Sequence, residues 1–174
     1  MKKNLALTVL SMTSFAFSQN SLILLNHKKI PATPEWQFVC GNYSYDGFLK
    51  IQIGRLEKGG IIKLSIKTSN SNLYIGDRIF VLLKNNDFVY CLDKGSRLVE
   101  NGIATVFYNI NELEFKKLTL QNITDIRFKI IGKQKEFDSQ IGFFTASNLP
   151  TIFDAYSKEV ISIDTKSDLK KISK

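Results

Sequence analysis

The pair Asp46-Gly47 is the sequence feature that most constrains the fold, because it separates two strand-like segments that end at Tyr45 and begin again at Phe48. An Asp-Gly pair favours the left-handed backbone of a two-residue turn, and such a turn joins antiparallel strands in a tight hairpin. With Tyr45 opposite Phe48, alternate side chains point to opposite faces. One face is apolar and is predicted to line the core: Trp36, Phe38, Cys40, Leu49, Ile51 and Ile53.

Further strands are indicated along the chain. Residues 61–68 alternate between apolar and polar side chains, which is typical of a half-buried strand. A second hairpin is predicted at Asn85-Asn86, between residues 78–84 and 87–93. Its strands are apolar on both faces, so we expect them to lie centrally in a sheet, covered on both sides. Later strands are predicted over residues 103–110, 124–131 and 140–145.

Two helices are predicted. Asn111 and Glu114 have the spacing of a capping box, which indicates a short helix over residues 112–118. Near the end of the chain, apolar residues at helical spacing predict an amphipathic helix that begins near Pro150. These residues are Leu149, Ile152, Phe153, Tyr156 and Val160. Residues 166–174 are rich in lysine and are expected to form a solvated basic tail.

The size of the chain sets the number of domains. With 174 residues, 44% of them hydrophobic, it can bury the core of one domain but hardly of two. We therefore predict an all-β fold, an antiparallel β-sandwich of about eight or nine strands with one short internal helix and one C-terminal amphipathic helix. This single domain is predicted to span residues 19–165.

The N-terminus has the three parts of a secretory signal peptide. Lys2 and Lys3 are basic, residues 5–17 are apolar, and Ala16-Phe17-Ser18 offers small residues at a cleavage site. An uncleaved membrane anchor is the alternative, but the apolar stretch is shorter than the roughly 20 residues that a spanning helix needs. We therefore expect residues 1–18 to be removed. The mature protein is then periplasmic or extracellular and has no transmembrane span.

The export signal, the bias towards Lys, Asn, Ile and Phe, and the stretch over residues 118–128 resemble those of small uncharacterised exported proteins of Bacteroidota. The resemblance covers the signal and a short stretch near the middle of the chain. It implies an exported protein of this fold class and carries no activity with it.

The two cysteines, Cys40 and Cys91, are predicted to face inward on different hairpins. Export brings a protein into an oxidising compartment, where disulfides form and persist. We therefore predict a disulfide between them, which would stabilise the fold by about 4 kcal/mol in the chain-entropy account. Two separate buried thiols are the alternative.

The residue types disfavour several kinds of chemistry. The single histidine, His27, lies beside Lys28 and Lys29, whose charges disfavour a bound metal ion, so we expect it on the surface. No metal site and no other cofactor is predicted. Carboxylates remain as acids and bases for a small polysaccharide hydrolase, but turn preference explains their positions equally well. The candidates are Asp46, Asp77, Asp87, Asp93 and Glu100.

The face of the first hairpin opposite the core offers the best candidate for binding. It contains Tyr43, Tyr45, Phe48 and Lys50, which are the predicted ligand-binding residues. Aromatic rings in such a position can stack on sugar rings or on the apolar surface of a partner. Packing beneath a second layer of the protein is the alternative.

The net charge of +8 comes from lysines that are scattered along the chain. A nucleic-acid partner is therefore not expected, since that footprint concentrates basic residues on one element. We expect an exported non-enzymatic module that binds a protein or a glycan. The alternatives are the small polysaccharide hydrolase and a basic envelope protein that binds anionic polymers.

Overall fold

The computed structural model describes residues 20–43, 45–133, 140–149, 151 and 162–173. Within these residues the chain forms eleven strands and two helices. The strands are β1 (Ser21–Ile23), β2 (Lys29–Pro31), β3 (Trp36–Val39), β4 (Phe48–Arg55), β5 (Gly60–Lys67), β6 (Leu73–Leu83), β7 (Phe88–Leu92), β8 (Arg97–Glu100), β9 (Ile103–Ile110), β10 (Ile123–Gly132) and β11 (Gly142–Ser147). The helices are α1 (Glu112–Leu120) and α2 (Thr165–Ile172).

Nine strands form one antiparallel sheet in the order β7-β6-β10-β11-β3-β4-β5-β9-β8, and β1 pairs separately with β2. The predicted all-β, antiparallel class is confirmed. The number of strands is higher than predicted, because the short strands β1, β2 and β8 have no clear alternating pattern in the sequence. The β1–β2 pair forms a small second layer, in which Leu22 and Ile30 pack with Ile61 of β5.

The nine-stranded sheet buries one of its faces by curling on itself. Side chains alternate along each strand, so that Leu49, Ile51 and Ile53 of β4 point into the core. Strands β6 and β7, at one end of the sheet, contact β9 near the other end. The guanidinium carbon of Arg97 on β8 lies 4.4 Å from the ring centre of Tyr74 on β6, which links the two ends. The result is a half-barrel.

The link between β7 and β8 carries the chain from one end of the sheet to the other. The N–H of Asp93 donates to the carbonyl of Asp77 at 3.1 Å, which continues the pairing of β7 with β6. The N–H of Phe107 donates to the carbonyl of Ser96 at 2.8 Å, which begins the pairing of β8 with β9. An ion pair between Asp93 and Arg97 spans the link.

The first hairpin has the predicted faces but not the predicted turn. Strands β3 and β4 pair with Val39 opposite Phe48, so residues 40–47 connect them in place of a two-residue turn. Gly47 still has a left-handed backbone, with a φ of 75°. The observed register differs from the predicted one by an even number of residues, so the same side chains face the core. The expectation that Tyr45 pairs with Phe48 was wrong.

The second hairpin turns where predicted, and Asn86 has a left-handed φ of 64°. Leu82 lies opposite Phe88, and Val81 and Val89 point into the core. The expectation that both strands lie centrally was wrong, because β7 is an edge strand. The described residues leave the outer sides of Phe88 and Leu92 exposed.

Helix α1 begins as predicted. The side chain of Asn111 accepts a hydrogen bond from the N–H of Glu114, and the carboxylate of Glu114 accepts one from the N–H of Asn111. Phe115 and Leu118 are buried against the main core. Neither α1 nor any other helix in the described part of the chain has the length and apolarity to cross a membrane.

The basic C-terminal segment is not the solvated tail that the sequence predicts. Its residues form α2, and Leu169 and Ile172 are buried in the main core while the lysines point outward. The indole N–H of Trp36 donates to Asp168 at 3.1 Å, which attaches α2 to β3. The many lysines conceal the helical spacing of the two apolar residues. The predicted helix over residues 149–160, apart from its first residues, and the signal peptide over residues 1–18 lie outside the described residues.

Asn148 ties the C-terminal segment to the sheet. Its side-chain amide donates to the carbonyls of Ile123 at 2.7 Å and Ile163 at 2.9 Å, and its side-chain oxygen accepts from the N–H of Ile163 at 2.9 Å. The side chain is buried, so these backbone groups have no access to water. One residue therefore pairs backbone groups on two segments of the chain.

Replacing Asn148 by alanine should lower the free energy of unfolding by about 2–4 kcal/mol, because it leaves buried backbone groups unpaired. Asn109→Ala, on the exposed side of β9, is the control and should change it by less than about 0.5 kcal/mol. Urea unfolding followed by circular dichroism measures both. Equal effects of the two substitutions would show that Asn148 does not hold the segment in place.

Candidate binding surface

Tyr43, a predicted ligand-binding residue, belongs to the core and not to an exposed face. It is 1% exposed, and its hydroxyl lies 2.6 Å from the carbonyl of Lys67 and 2.7 Å from the side-chain oxygen of Gln140. Its ring meets the ring of Phe144 edge-on at 5.1 Å. The long connection over residues 40–47 allows the ring to turn inward, which a two-residue turn would prevent.

Two of the other three predicted ligand-binding residues, Phe48 and Lys50, lie together. Tyr45 is exposed, while Phe48 and Lys50 line a small cavity of about 140 Å³ together with Asp46. The ammonium of Lys50 lies 3.3 Å from the carboxylate of Glu35. With Tyr43 in the core, this hairpin does not present the pair of neighbouring rings that the sequence predicts.

The predicted disulfide is absent, and this expectation was wrong. Cys40 and Cys91 are both free and buried. Cys91 lies on β7 and Cys40 follows β3, and three strands separate β7 from β3 in the sheet. Burial raises the pKa of each thiol to about 12, and at Cys91 the nearby carboxylate of Glu114 adds to the effect. Both thiols therefore stay protonated and act as small apolar side chains.

Most of the acidic residues considered for catalysis form ion pairs. Those pairs are Asp46 with Lys67, Asp77 with Arg78, Asp87 with Lys117, and Asp93 with Arg97. Hydrogen bonds from Lys117 and from the N–H of Phe88 hold the pKa of the Asp87 carboxyl below its usual range. Asp87 therefore stays ionised at neutral pH, whereas a general acid must keep its proton. Glu100 lies exposed at the end of β8.

The described residues contain no group of three histidine, cysteine or acidic side chains that would hold a metal ion. His27 is exposed in the turn between β1 and β2, with a left-handed φ of 61°. This position agrees with the expected surface location.

The part of the chain that the structure describes leaves an apolar surface partly exposed on the outer side of β6 and β7. The register places Leu82 opposite Phe88 and Phe80 opposite Tyr90. The ring of Phe80 lies 6.0 Å from that of Phe88 and 5.5 Å from that of Tyr90, so the three rings form one cluster. Phe88 is 52% exposed and Leu92 is 53% exposed. We call this surface the aromatic face; it comprises Phe80, Leu82, Phe88, Tyr90 and Leu92.

A polar strip continues the same outer side onto β10 and β11. Asp125 lies opposite Leu82, and Arg127 lies opposite Phe80. On the other side of β10, Asp125 pairs with Ser147, whose hydroxyl donates to the Asp125 carboxylate at 2.6 Å. Thr145 lies opposite Arg127. The polar strip is therefore Asp125, Arg127, Thr145 and Ser147.

Two adjoining cavities of about 380 Å³ each follow this boundary. The first lies between the aromatic face and the polar strip, and Phe80, Phe88 and Arg127 line it. The second extends towards the end of β11, and Ser147 and Asn148 line it. Asp125 lines both, so we treat the two cavities as one groove. Each lies within the range of roughly 300–1,000 Å³ that is usual for ligand sites.

Sequence analysis missed this groove because it assigned both apolar faces of residues 78–84 and 87–93 to buried packing. One signal was present: Asp125 and Arg127 occupy alternate positions in a predicted strand, so they share one face. The strand next to β10 in the sheet would then have its outer face beside these polar side chains, and that face would be exposed to water. The lateral pairing of β10 with β6 is not visible in the sequence.

Comparisons with protein families, with curated proteins and with solved structures each find no match for this chain. The function is therefore inferred from the groove itself.

Tyr43→Phe should lower the free energy of unfolding by about 1–2 kcal/mol, because it removes a hydroxyl that hydrogen bonds inside the core. Tyr45→Phe is the matched control, since Tyr45 is exposed, and should leave stability unchanged within error. Thermal unfolding of both variants tests the inward position of Tyr43. A Tyr43→Phe variant as stable as the wild type would contradict the buried position of the Tyr43 hydroxyl.

The two thiols should react with Ellman's reagent very slowly in the folded protein and completely in urea, at two per chain. Because the folded state raises each pKa from 9.0 to about 12, it retains protons that the unfolded chain releases above pH 9. The free energy of unfolding should therefore fall as the pH rises above about 9. Recovery of no free thiol in urea would show that a disulfide forms after all.

Proposed function

We propose that this protein is an exported, non-enzymatic binding module that holds a glycan or a protein partner in the groove and on the aromatic face. The N-terminal sequence supports export. The observation that supports binding most directly is the cluster of Phe80, Phe88 and Tyr90, which the described residues leave partly exposed beside the cationic side chain of Arg127.

Exposure of such a cluster has a physical cost. Burying apolar surface stabilises a fold by roughly 25 cal/mol per Å², and a side chain that stays in water does not gain this stabilisation. A contiguous exposed apolar patch marks an interaction site or an aggregation risk. Aromatic residues and arginine are also the side chains that dominate binding energy in protein interfaces. A partner that covers the aromatic face would supply the burial that the described residues do not.

The two alternative functions have less support from the side chains. For a hydrolase, Asp87 at the groove is ionised and paired with Lys117, and Asp125 accepts a hydrogen bond from Ser147, so neither carboxylate is placed as the proton donor that glycoside cleavage needs. For an anionic polymer, the groove offers no excess of positive charge, because Asp87 and Asp125 line it together with Arg127 and Lys84. Away from the groove, Glu35 pairs with both Lys50 and Lys63, so these two lysines do not act as free cations.

Phe88→Ala should weaken binding of the mature protein to isolated envelopes of the cells that produce it by about ten-fold or more, the loss expected for a central aromatic contact. Tyr45→Ala is the control, because both side chains are 52% exposed but Tyr45 lies outside the aromatic face. A co-sedimentation isotherm with labelled protein measures the affinity of each variant.

Both variants should unfold at nearly the same urea concentration as the wild type, since each removes an exposed ring. Equal loss of affinity in the two variants, or no loss in either, would contradict a binding role for the aromatic face. Loss in Tyr45→Ala alone would instead favour the first hairpin.

A further inference from the structure

We infer that the groove binds a neutral carbohydrate chain, a ligand class that rests on the binding function proposed above. The aromatic face and the polar strip meet inside one cavity, where Phe80 and Phe88 lie beside Asp125 and Arg127. This combination of apolar rings with hydrogen-bonding groups of both kinds is the observation that selects the ligand.

The charged groups of the polar strip retain unused hydrogen-bonding capacity. Within the described residues, neither Arg127 nor Asp125 forms a salt bridge, and Asp125 accepts only the hydrogen bond from Ser147. Arg127 offers five N–H donors, and the Asp125 carboxylate offers further acceptor positions. The groove therefore presents a strong donor and a strong acceptor side by side.

The two charges point to a ligand that is neutral and can both donate and accept. Asp125 and Arg127 are two residues apart on β10, so their positions lie roughly 7 Å from each other on one face. An anionic ligand would satisfy Arg127 but face Asp125, and a cationic ligand would have the opposite problem. A hydroxyl group donates to the carboxylate and accepts from the guanidinium without a net charge.

The aromatic face supplies the other half of the recognition. A sugar ring carries hydroxyls around its edge and C–H groups on its faces, so it can contact aromatic rings and charged groups at the same time. Phe80 lies directly opposite Arg127 across the β6–β10 pairing, and Tyr90 lies beyond it on β7. A sugar ring seated on Phe80 or Phe88 would therefore have its edge within reach of the polar strip.

The shape of the groove favours a chain over a single sugar. From β7 to β11 it crosses four neighbouring strands, a width of roughly 14 Å. The second cavity continues from Asp125 to Ser147 and Lys84, which are again groups that bind hydroxyls. Successive sugar units would contact the aromatic face first and the polar end of the groove next.

The test uses the labelled mature protein and the isolated envelopes in three forms: untreated, digested with protease, and oxidised with periodate, which cleaves vicinal diols and is then quenched. Binding should survive the protease and should be lost after periodate. Raising the salt concentration should leave the affinity nearly unchanged, because a neutral ligand releases no counterions.

Two variants address the polar strip directly. Asp125→Asn keeps the side-chain size and Arg127→Gln shortens the side chain but keeps it polar; each removes a charge and should weaken binding by roughly ten-fold. Lys50→Gln is the control, since it removes a cation from a different hairpin, and should bind as the wild type does.

The outcomes separate the two proposals. Binding that is lost after protease and kept after periodate would overturn the carbohydrate inference and leave a protein-binding module. Binding that falls steeply with salt would overturn the neutral class of ligand. Full binding by Phe88→Ala together with Arg127→Gln would overturn the groove as the site, and absence of binding to untreated envelopes would overturn both proposals.

Discussion

The structure depends on one constraint: a single sheet with one apolar face must curl so that its two ends meet and enclose that face. Nine strands point residues such as Ile51, Leu64 and Ile126 to the same side, and helices α1 and α2 add only a few side chains to the core. Curling brings β6 and β7 against β9, and Arg97 stacked on Tyr74 links the two ends. The direct link from β7 to β8 makes this closure local in sequence, which limits the entropy cost of bringing the ends together.

Buried polar contacts attach the C-terminal segment to the curled sheet. Asn148 binds backbone groups of Ile123 and Ile163, and the hydroxyl of Thr165 accepts from the N–H of Ile123 at 2.9 Å. These contacts direct the chain into α2, whose Leu169 is fully buried. Buried hydrogen bonds have strict geometry, so they position the segment where apolar contacts alone would leave it free to slide.

The sequence predicted the properties that local periodicity determines. The faces of β4 and β5, the capping box of α1 and the turn at Asn86 follow from alternation, spacing and turn preference, and each is found in the structure. The prediction of a two-residue turn at Asp46-Gly47 was wrong, because the burial of Tyr43 outweighs a local turn preference. The lateral order of the strands, and with it the edge position of β7 and the groove, arises from contacts between distant segments. Composition and periodicity contain no information about those contacts.

The outer side of the half-barrel has two apolar sites that differ in how the described residues cover them. On β5, Ile61 points outward, and the β1–β2 pair covers it. Gly54 on β4 has no side chain, which allows Ile30 of β2 to pack closely against the sheet. A side chain at Gly54 would collide with Ile30, since a Cβ there would lie 2.4 Å from its terminal carbon. Among the described residues nothing comparable covers Phe88 and Leu92, although they too project outward from the sheet. Within the described residues, one outward apolar site is covered and another stays exposed beside Arg127, and this difference supports the proposal that the aromatic face binds a ligand.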